Sequence, residues 1–141
     1  MLRLIEILGD AMVLILLLSA CAVPVPPPSN STVPASPKKL SEQDNGGTVT
    51  LEVGQQLDIS LVANPTTGYQ WEIAEGDSAV LKQVGEPVYT TDSTAPGSGG
   101  TMTFHFVAAT PGQTTLKLIY HRTFEKDTPP LKTFEITAVV K

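Results

Sequence analysis

The chain has 141 residues, 41% of them hydrophobic and 16% charged, with a formal net charge of −5. That is room for one domain with a packed core, and it leaves wholesale disorder out. Nine basic residues against fourteen acidic ones argue against a nucleic-acid partner, which needs clustered Lys and Arg, and a single cysteine rules out an intramolecular disulfide.

In chain order, a leader comes first. After Arg3, Glu6 and Asp10, residues 11–20 are apolar except for Ser19. Such a run is too short for a membrane span, which takes about 20 apolar residues, and it has the length of a signal-peptide core. It ends in Leu18-Ser19-Ala20-Cys21, and Cys21 is the only cysteine of the chain. This ending resembles the lipobox of bacterial lipoproteins. The resemblance implies a signal peptide over residues 1–20, cleavage before Cys21, and acylation of that cysteine's thiol and amine. Cys21 is then a lipid anchor, not a nucleophile, and the protein is expected at the membrane of a bacterial cell envelope.

Residues 24–37 hold six of the twelve prolines. Proline at that density favours extended polyproline II and cannot pair in a sheet, so residues 21–43 read as a lipidated cysteine and its tether. The folded domain is expected over residues 44–141.

There the apolar residues recur every second position. Leu57, Ile59, Leu61 and Ala63 alternate with residues of the wet face, as do Met102, Phe104, Phe106 and Ala108. The same pattern covers Leu116, Leu118 and Tyr120, and then Phe134, Ile136, Ala138 and Val140. Val49–Val53 and Tyr69–Ile73 read as strands too, and Val80–Val84 and Pro87–Thr90 as weaker ones. Turn residues separate them: Gly54, Asn64-Pro65, Gly76-Asp77, Pro96-Gly97, Pro111-Gly112 and Pro129-Pro130. Seven to eight short strands at this spacing predict an all-β fold, an antiparallel sandwich of two sheets. Thr101–Ala109 and Thr114–His121 are expected to form a hairpin through Pro111-Gly112, and Trp71 to lie between the sheets.

Three inter-strand segments stand out. In Asn64-Pro65-Thr66-Thr67-Gly68-Tyr69, Pro65 fixes its own φ and Gly68 admits a positive one, so the loop is stiff. A stiff exposed loop suits binding, because little order is lost on association. Gly97-Ser98-Gly99-Gly100 leads into a strand, not a helix, which argues against a phosphate loop. It is either filler or a place where bare glycines let a partner's backbone approach. The third, His121-Arg122-Thr123-Phe124 followed by Glu125-Lys126-Asp127, sets an aromatic beside a cation in a charged loop; it is either a solvated loop with a tucked-in ring or a binding anchor.

These three segments, in this order on an all-β chain, resemble the chagasin-type inhibitors of papain-like cysteine peptidases. The family's pattern is Asn-Pro-Thr-Thr-Gly-aromatic, then Gly-x-Gly-Gly, then Arg-Pro-Trp or Arg-Pro-Phe. Residues 64–69 match the first throughout and residues 97–100 the second, while Thr123 stands where the third has proline. The resemblance implies an immunoglobulin-like sandwich whose three loops form a wedge in a peptidase's substrate cleft. Asn64, Pro65, Thr66, Thr67 and Gly68 then lie over the catalytic cysteine and histidine, with Thr66 nearest the thiolate. Gly97, Ser98, Gly99 and Gly100 pair backbone to backbone with one wall, and Arg122 and Phe124 pack on the other. Thr123 frees a φ that proline would hold, so inhibition is expected to be weaker by about 1 kcal/mol.

An enzyme needs a catalytic set, and none is legible: there are two histidines, His105 and His121, and Gly97-Ser98-Gly99 lacks the spacing of a nucleophile elbow. No metal or cofactor is expected, and the protein is expected to act as a monomer. The alternative to an inhibitor is a tethered adhesion module with no peptidase target.

Overall fold

The structure, a computed structural model, describes residues 35–125 and 127–141. Cys21, the leader and most of the tether lie outside the described residues. Among the described residues there are nine strands: β1 (Lys38–Ser41), β2 (Thr48–Leu51), β3 (Gln56–Ala63), β4 (Tyr69–Glu75), β5 (Leu81–Gln83), β6 (Val88–Thr91), β7 (Gly100–Ala108), β8 (Gly112–Arg122) and β9 (Lys132–Val140). One sheet runs β1-β3-β7, with β5 and β6 both on the far side of β7. The other runs β2-β9-β8-β4.

The period-two residues meet between these sheets. Leu57, Ile59, Leu61, Phe104 and Phe106 from the first sheet, and Leu118, Phe134 and Ile136 from the second, are each at most 2% exposed. Burying a side chain of this size contributes about 1.5–3 kcal/mol, so this shared face decides the architecture. Trp71 lies in the core as expected, with its ring 5.1 Å from that of Tyr120. Its indole N–H donates to the Val62 carbonyl at 2.9 Å. Val62 sits where β3 has run past β1, whose ladder reaches only Ser60, so the indole satisfies an edge carbonyl that no strand covers.

Three features differ from the sequence expectation. First, β7 and β8 do not form a hairpin. They lie in different sheets, β7 pairing with β3, β5 and β6, and β8 with β4 and β9. Pro111-Gly112 therefore carries the chain across the sandwich, with Gly112 at φ +156° and packed against Val80. Alternation reports which face a residue is on and says nothing about which strand lies beside it. Second, the sandwich begins before residue 44. Lys38–Ser41 pairs with Leu57–Ser60, and Gln55 donates from its side chain to the Ser36 carbonyl at 2.9 Å. Third, the β1–β3 and β2–β9 pairs are parallel, and all others are antiparallel. A short 3-10 turn at Glu42–Asp44 joins β1 to β2 from one sheet to the other.

Strand direction then places the loops. β3 ends, β4 begins, β6 ends, β7 begins, β8 ends and β9 begins at the same pole, as the registers Ala63↔Gly100, Thr91↔Gly100, Tyr69↔Arg122 and Tyr120↔Lys132 require. All three segments singled out in the sequence lie at that pole.

Candidate functional site: three loops at one pole

The first loop is built around Asn64. Pro65–Thr67 forms one 3-10 turn, and Asn64 caps its start: its side-chain oxygen accepts from the Thr66 N–H at 3.2 Å and from the Thr66 hydroxyl at 2.5 Å. Its carbonyl accepts from the Thr67 N–H at 3.1 Å and the Thr67 hydroxyl at 2.6 Å. Proline fits the first helical position, which has no backbone donor to offer the turn. Gly68 closes it at φ +82°, donating to the Pro65 carbonyl at 3.0 Å. The threonine hydroxyls are thus bonded within the loop, and the backbone from Asn64 to Gly68 is held in a tight helical turn.

Two further contacts of Asn64 tie this loop to its surroundings. Its amide N–H2 donates to the Gly97 carbonyl at 3.2 Å, joining the first loop to the second. Its backbone N–H donates to the Tyr120 hydroxyl at 2.8 Å, joining the loop to the core.

The second loop connects β6 to β7 and is not filler. Asp92 N–H donates to the Gly99 carbonyl at 3.1 Å, and the Ser98 hydroxyl to the Ser93 carbonyl at 2.7 Å. The Thr91 hydroxyl donates to the same carbonyl at 2.6 Å. Gly97 is exposed and Ser98 and Gly99 are half-buried, but Gly100 is buried in β7. A Cβ on Gly100 would overlap the Thr90 carbonyl and come within 2.8 Å of the Tyr89 ring. Gly100 is therefore needed for β6 to lie against β7, and its expected contact with a partner's backbone is not available.

In the third loop a β-turn closes, with Glu125 N–H donating to the Arg122 carbonyl at 3.0 Å. The Arg122 guanidinium donates from Nη1 to the Glu125 carboxylate at 3.0 Å. It lies 4.6 Å from the centre of the Tyr69 ring and 5.9 Å from that of Phe124. The Glu125 hydrogen bond raises the guanidinium's pKa against partial desolvation, with Tyr69 and the Glu125 charge adding to it, so Arg122 stays cationic. Its Nε is shut from solvent without a hydrogen-bond partner. Phe124 is 70% exposed, yet its ring comes within 3.4 Å of where a Cβ on Gly68 would be. The ring is exposed, not tucked in.

Beneath the loops runs a column of rings. Tyr69 stacks on Tyr120 at 5.4 Å, and Tyr120 meets Trp71. Tyr69, half-buried, thus supports Arg122 from below. Tyr120 and Glu125 went unread in the sequence as parts of the site. Tyr120 counts there simply as an inward residue of β8, whereas the three-residue spacing of Arg122 and Glu125 was a visible signal for a turn. The histidines lie in different sheets: His105 Nδ1 meets Asp58 at 2.7 Å towards the far end of β7, and His121, next to Arg122 at the pole end of β8, meets Glu72 through Nε2 at 2.7 Å.

Comparison with known proteins agrees with this geometry. Residues 50–138 match the family described as chagasin family peptidase inhibitor I42. Chagasin of Trypanosoma cruzi is 33% identical over 88 residues, covering 60% of this chain and 80% of that protein. The crystal structure of the cysteine protease inhibitor EhICP2 from Entamoeba histolytica superposes with a TM-score of 0.67 at 24% identity, covering 75% of this chain and 96% of that one. PbICP-C, solved in complex with falcipain-2, shares the fold with a TM-score of 0.51 at 19% identity, covering 75% and 92%. An all-β sandwich that carries Asn64–Tyr69, Gly97–Gly100 and Arg122–Phe124 at one pole, matched over most of its length, belongs to the chagasin family of peptidase inhibitors.

Proposed function

We propose that this protein inhibits papain-like cysteine peptidases by filling the substrate cleft with its three loops. The observation that carries the reading is the closed turn at Asn64–Gly68. A substrate lies extended in a cleft, with its scissile carbonyl open to attack. Here the Asn64 and Pro65 carbonyls accept hydrogen bonds from Thr67 and Gly68 inside the turn, so the loop can occupy the catalytic centre without offering a peptide bond to it. Because the turn and its ties to Gly97 and Tyr120 exist before binding, little order has to be imposed on association.

In this reading Thr66, exposed at the turn, lies nearest the catalytic thiolate, with Pro65, Thr67 and Gly68 around it. Gly97, Ser98 and Gly99 approach one wall of the cleft. Arg122, Thr123 and Phe124 meet the other, and the falcipain-2 complex of PbICP-C supports a partner of this class. The protein acts by occupancy, not by chemistry of its own, and binds as a monomer.

Titration of papain tests this. The wild type is expected to abolish activity at one inhibitor per enzyme, and Thr66→Arg to weaken inhibition by about 100-fold, which is about 2.7 kcal/mol, with an unchanged melting temperature. Papain left fully active by the wild type would favour the adhesion module instead. The Leu18–Cys21 motif supports a lipid anchor on Cys21 and a place in the bacterial cell envelope. Labelled palmitate should enter the wild type and not Cys21→Ser, and equal labelling of both would remove that part of the reading.

A further inference from the structure

Beside the first loop the same pole carries a groove of about 460 Å³ that the three-loop wedge leaves open. Its apolar walls are Val62, Tyr69 and Leu131. Val62 is 54% and Leu131 61% exposed, although Val62 is on the wet face of β3, where Asp58 and Ser60 precede it. Two large aliphatic side chains left uncovered in one groove are an unpartnered patch.

Most polar groups around the groove are engaged, and Arg122 Nε, which has no partner, is shut from solvent. Asn64 is bonded to Gly97, the Thr67 hydroxyl to the Asn64 carbonyl, and the Tyr120 hydroxyl to the Asn64 N–H. Of the two cations on its margin, Arg122 is paired with Glu125 and Lys132 with Glu42 at 3.2 Å. The groove therefore offers area for burial and little to recognise a charged or strongly polar group. Its rim is made by Asn64, Thr67 and Gly99, from the two loops that the proposed function sets into the cleft, so an enzyme that receives the wedge brings the edge of its cleft over the groove.

We infer that Val62 and Leu131 form a specificity subsite, which takes an apolar side chain from the cleft rim of the bound papain-like peptidase. This rests on the proposed inhibitory function. It makes the inhibitor discriminate among peptidases that share a catalytic centre: one with an apolar residue at the rim gains contact area, and one with an acidic residue there loses solvation without a partner.

The test uses neutral, exposed substitutions that preserve the fold and add no long-range charge: Val62→Thr and Leu131→Asn, with Val53→Thr at the opposite pole as control. Inhibition constants are measured against papain and two papain-like peptidases, one with an apolar and one with an acidic rim residue. Each groove variant is expected to bind the apolar-rim enzyme about tenfold more weakly, to change little on the acidic-rim enzyme, and to melt with the wild type; the control should match the wild type throughout. Inhibition within about twofold of wild type by both groove variants on every enzyme would overturn the subsite and leave the inhibitory reading standing. A control that weakens equally would overturn it as well. A wild type inactive on all three enzymes would remove the inhibitory reading itself.

Discussion

The side-chain amide of Asn64 donates to the carbonyl of Gly97 across 33 residues of sequence, at 3.2 Å. One residue thereby caps the first loop with its oxygen and holds the second loop with its nitrogen, while its backbone N–H reaches the core. Asn64→Asp keeps the cap oxygen and loses the donor to Gly97. It is expected to retain most of the stability and to weaken papain inhibition about tenfold. Asn64→Ala loses the cap as well, at about 0.5–2 kcal/mol. Melting curves and inhibition constants for both variants separate the two roles, and equal inhibition by Asn64→Asp and the wild type would deny the second.

Tyr120 supplies the hydroxyl beneath that loop. Tyr120→Phe keeps the ring column with Tyr69 and Trp71 but leaves the Asn64 N–H without its acceptor. An orphaned donor of this kind costs about 1–3 kcal/mol. The expected result is a destabilised domain by denaturant titration, with a larger loss of inhibition than other substitutions of equal destabilisation produce.

Thr123 is the second residue of the turn that Glu125 closes onto Arg122. That is the position proline prefers in such turns, and Arg122, at the end of a strand, already has the extended backbone proline asks of its predecessor. Thr123→Pro is therefore expected to stabilise the domain by about 0.4–1 kcal/mol and to tighten inhibition. A variant that inhibits no better than wild type would show that the loop is already ordered by other means.

Those other means are the Arg122–Glu125 pair and the contacts of the guanidinium with the Tyr69 and Phe124 rings. A half-buried pair near the surface adds little to stability, and its effect fades with salt. Glu125→Gln should barely move the melting temperature while weakening inhibition severalfold, and the difference from wild type should shrink as salt is raised. Combined with Thr123→Pro the two effects should be less than additive, since both hold one turn.

Gly100 belongs to the motif but not to the contact. Gly100→Ala places a methyl group against the Thr90 carbonyl and the Tyr89 ring, an overpacking that costs about 1–3 kcal/mol. Its inhibition should fall only as far as its folded fraction does, whereas Gly97→Ala, whose Cβ would stand in open space on the exposed loop at a φ of +79°, should weaken inhibition beyond any loss of folded protein. Full inhibition by a fully stable Gly100→Ala would contradict this assignment.

The faces of the strands were legible because burial on one side of a sheet leaves a period-two trace, and Leu57–Ala63 and Phe134–Val140 carry it plainly. Their partners were not. Pro111-Gly112 has the chemistry of a hairpin turn and serves a crossing between sheets, and only packing decides which. Lys38–Ser41 has one apolar residue, Leu40, and no alternation to read; its strand is held by β3 and by the side chain of Gln55, both distant in sequence. In the site, residues 64–69 were legible because Pro65 and Gly68 constrain the backbone locally. The reach of Asn64 to Gly97, the support from Tyr120 and the crowding at Gly100 are three-dimensional and left no local mark.

The parallel pairing of β1 with β3 has a mechanical side. The chain enters β1 at Lys38, opposite Leu57 at the base of β3, while the three loops lie at the other end. Were the wedge gripped by an enzyme and the N-terminus held, tension would run lengthwise along β1. Its ladder to β3 would then be sheared, all its hydrogen bonds sharing the load, instead of being unzipped one at a time. A four-residue strand with a weak sequence signature is thereby placed where it resists pulling best.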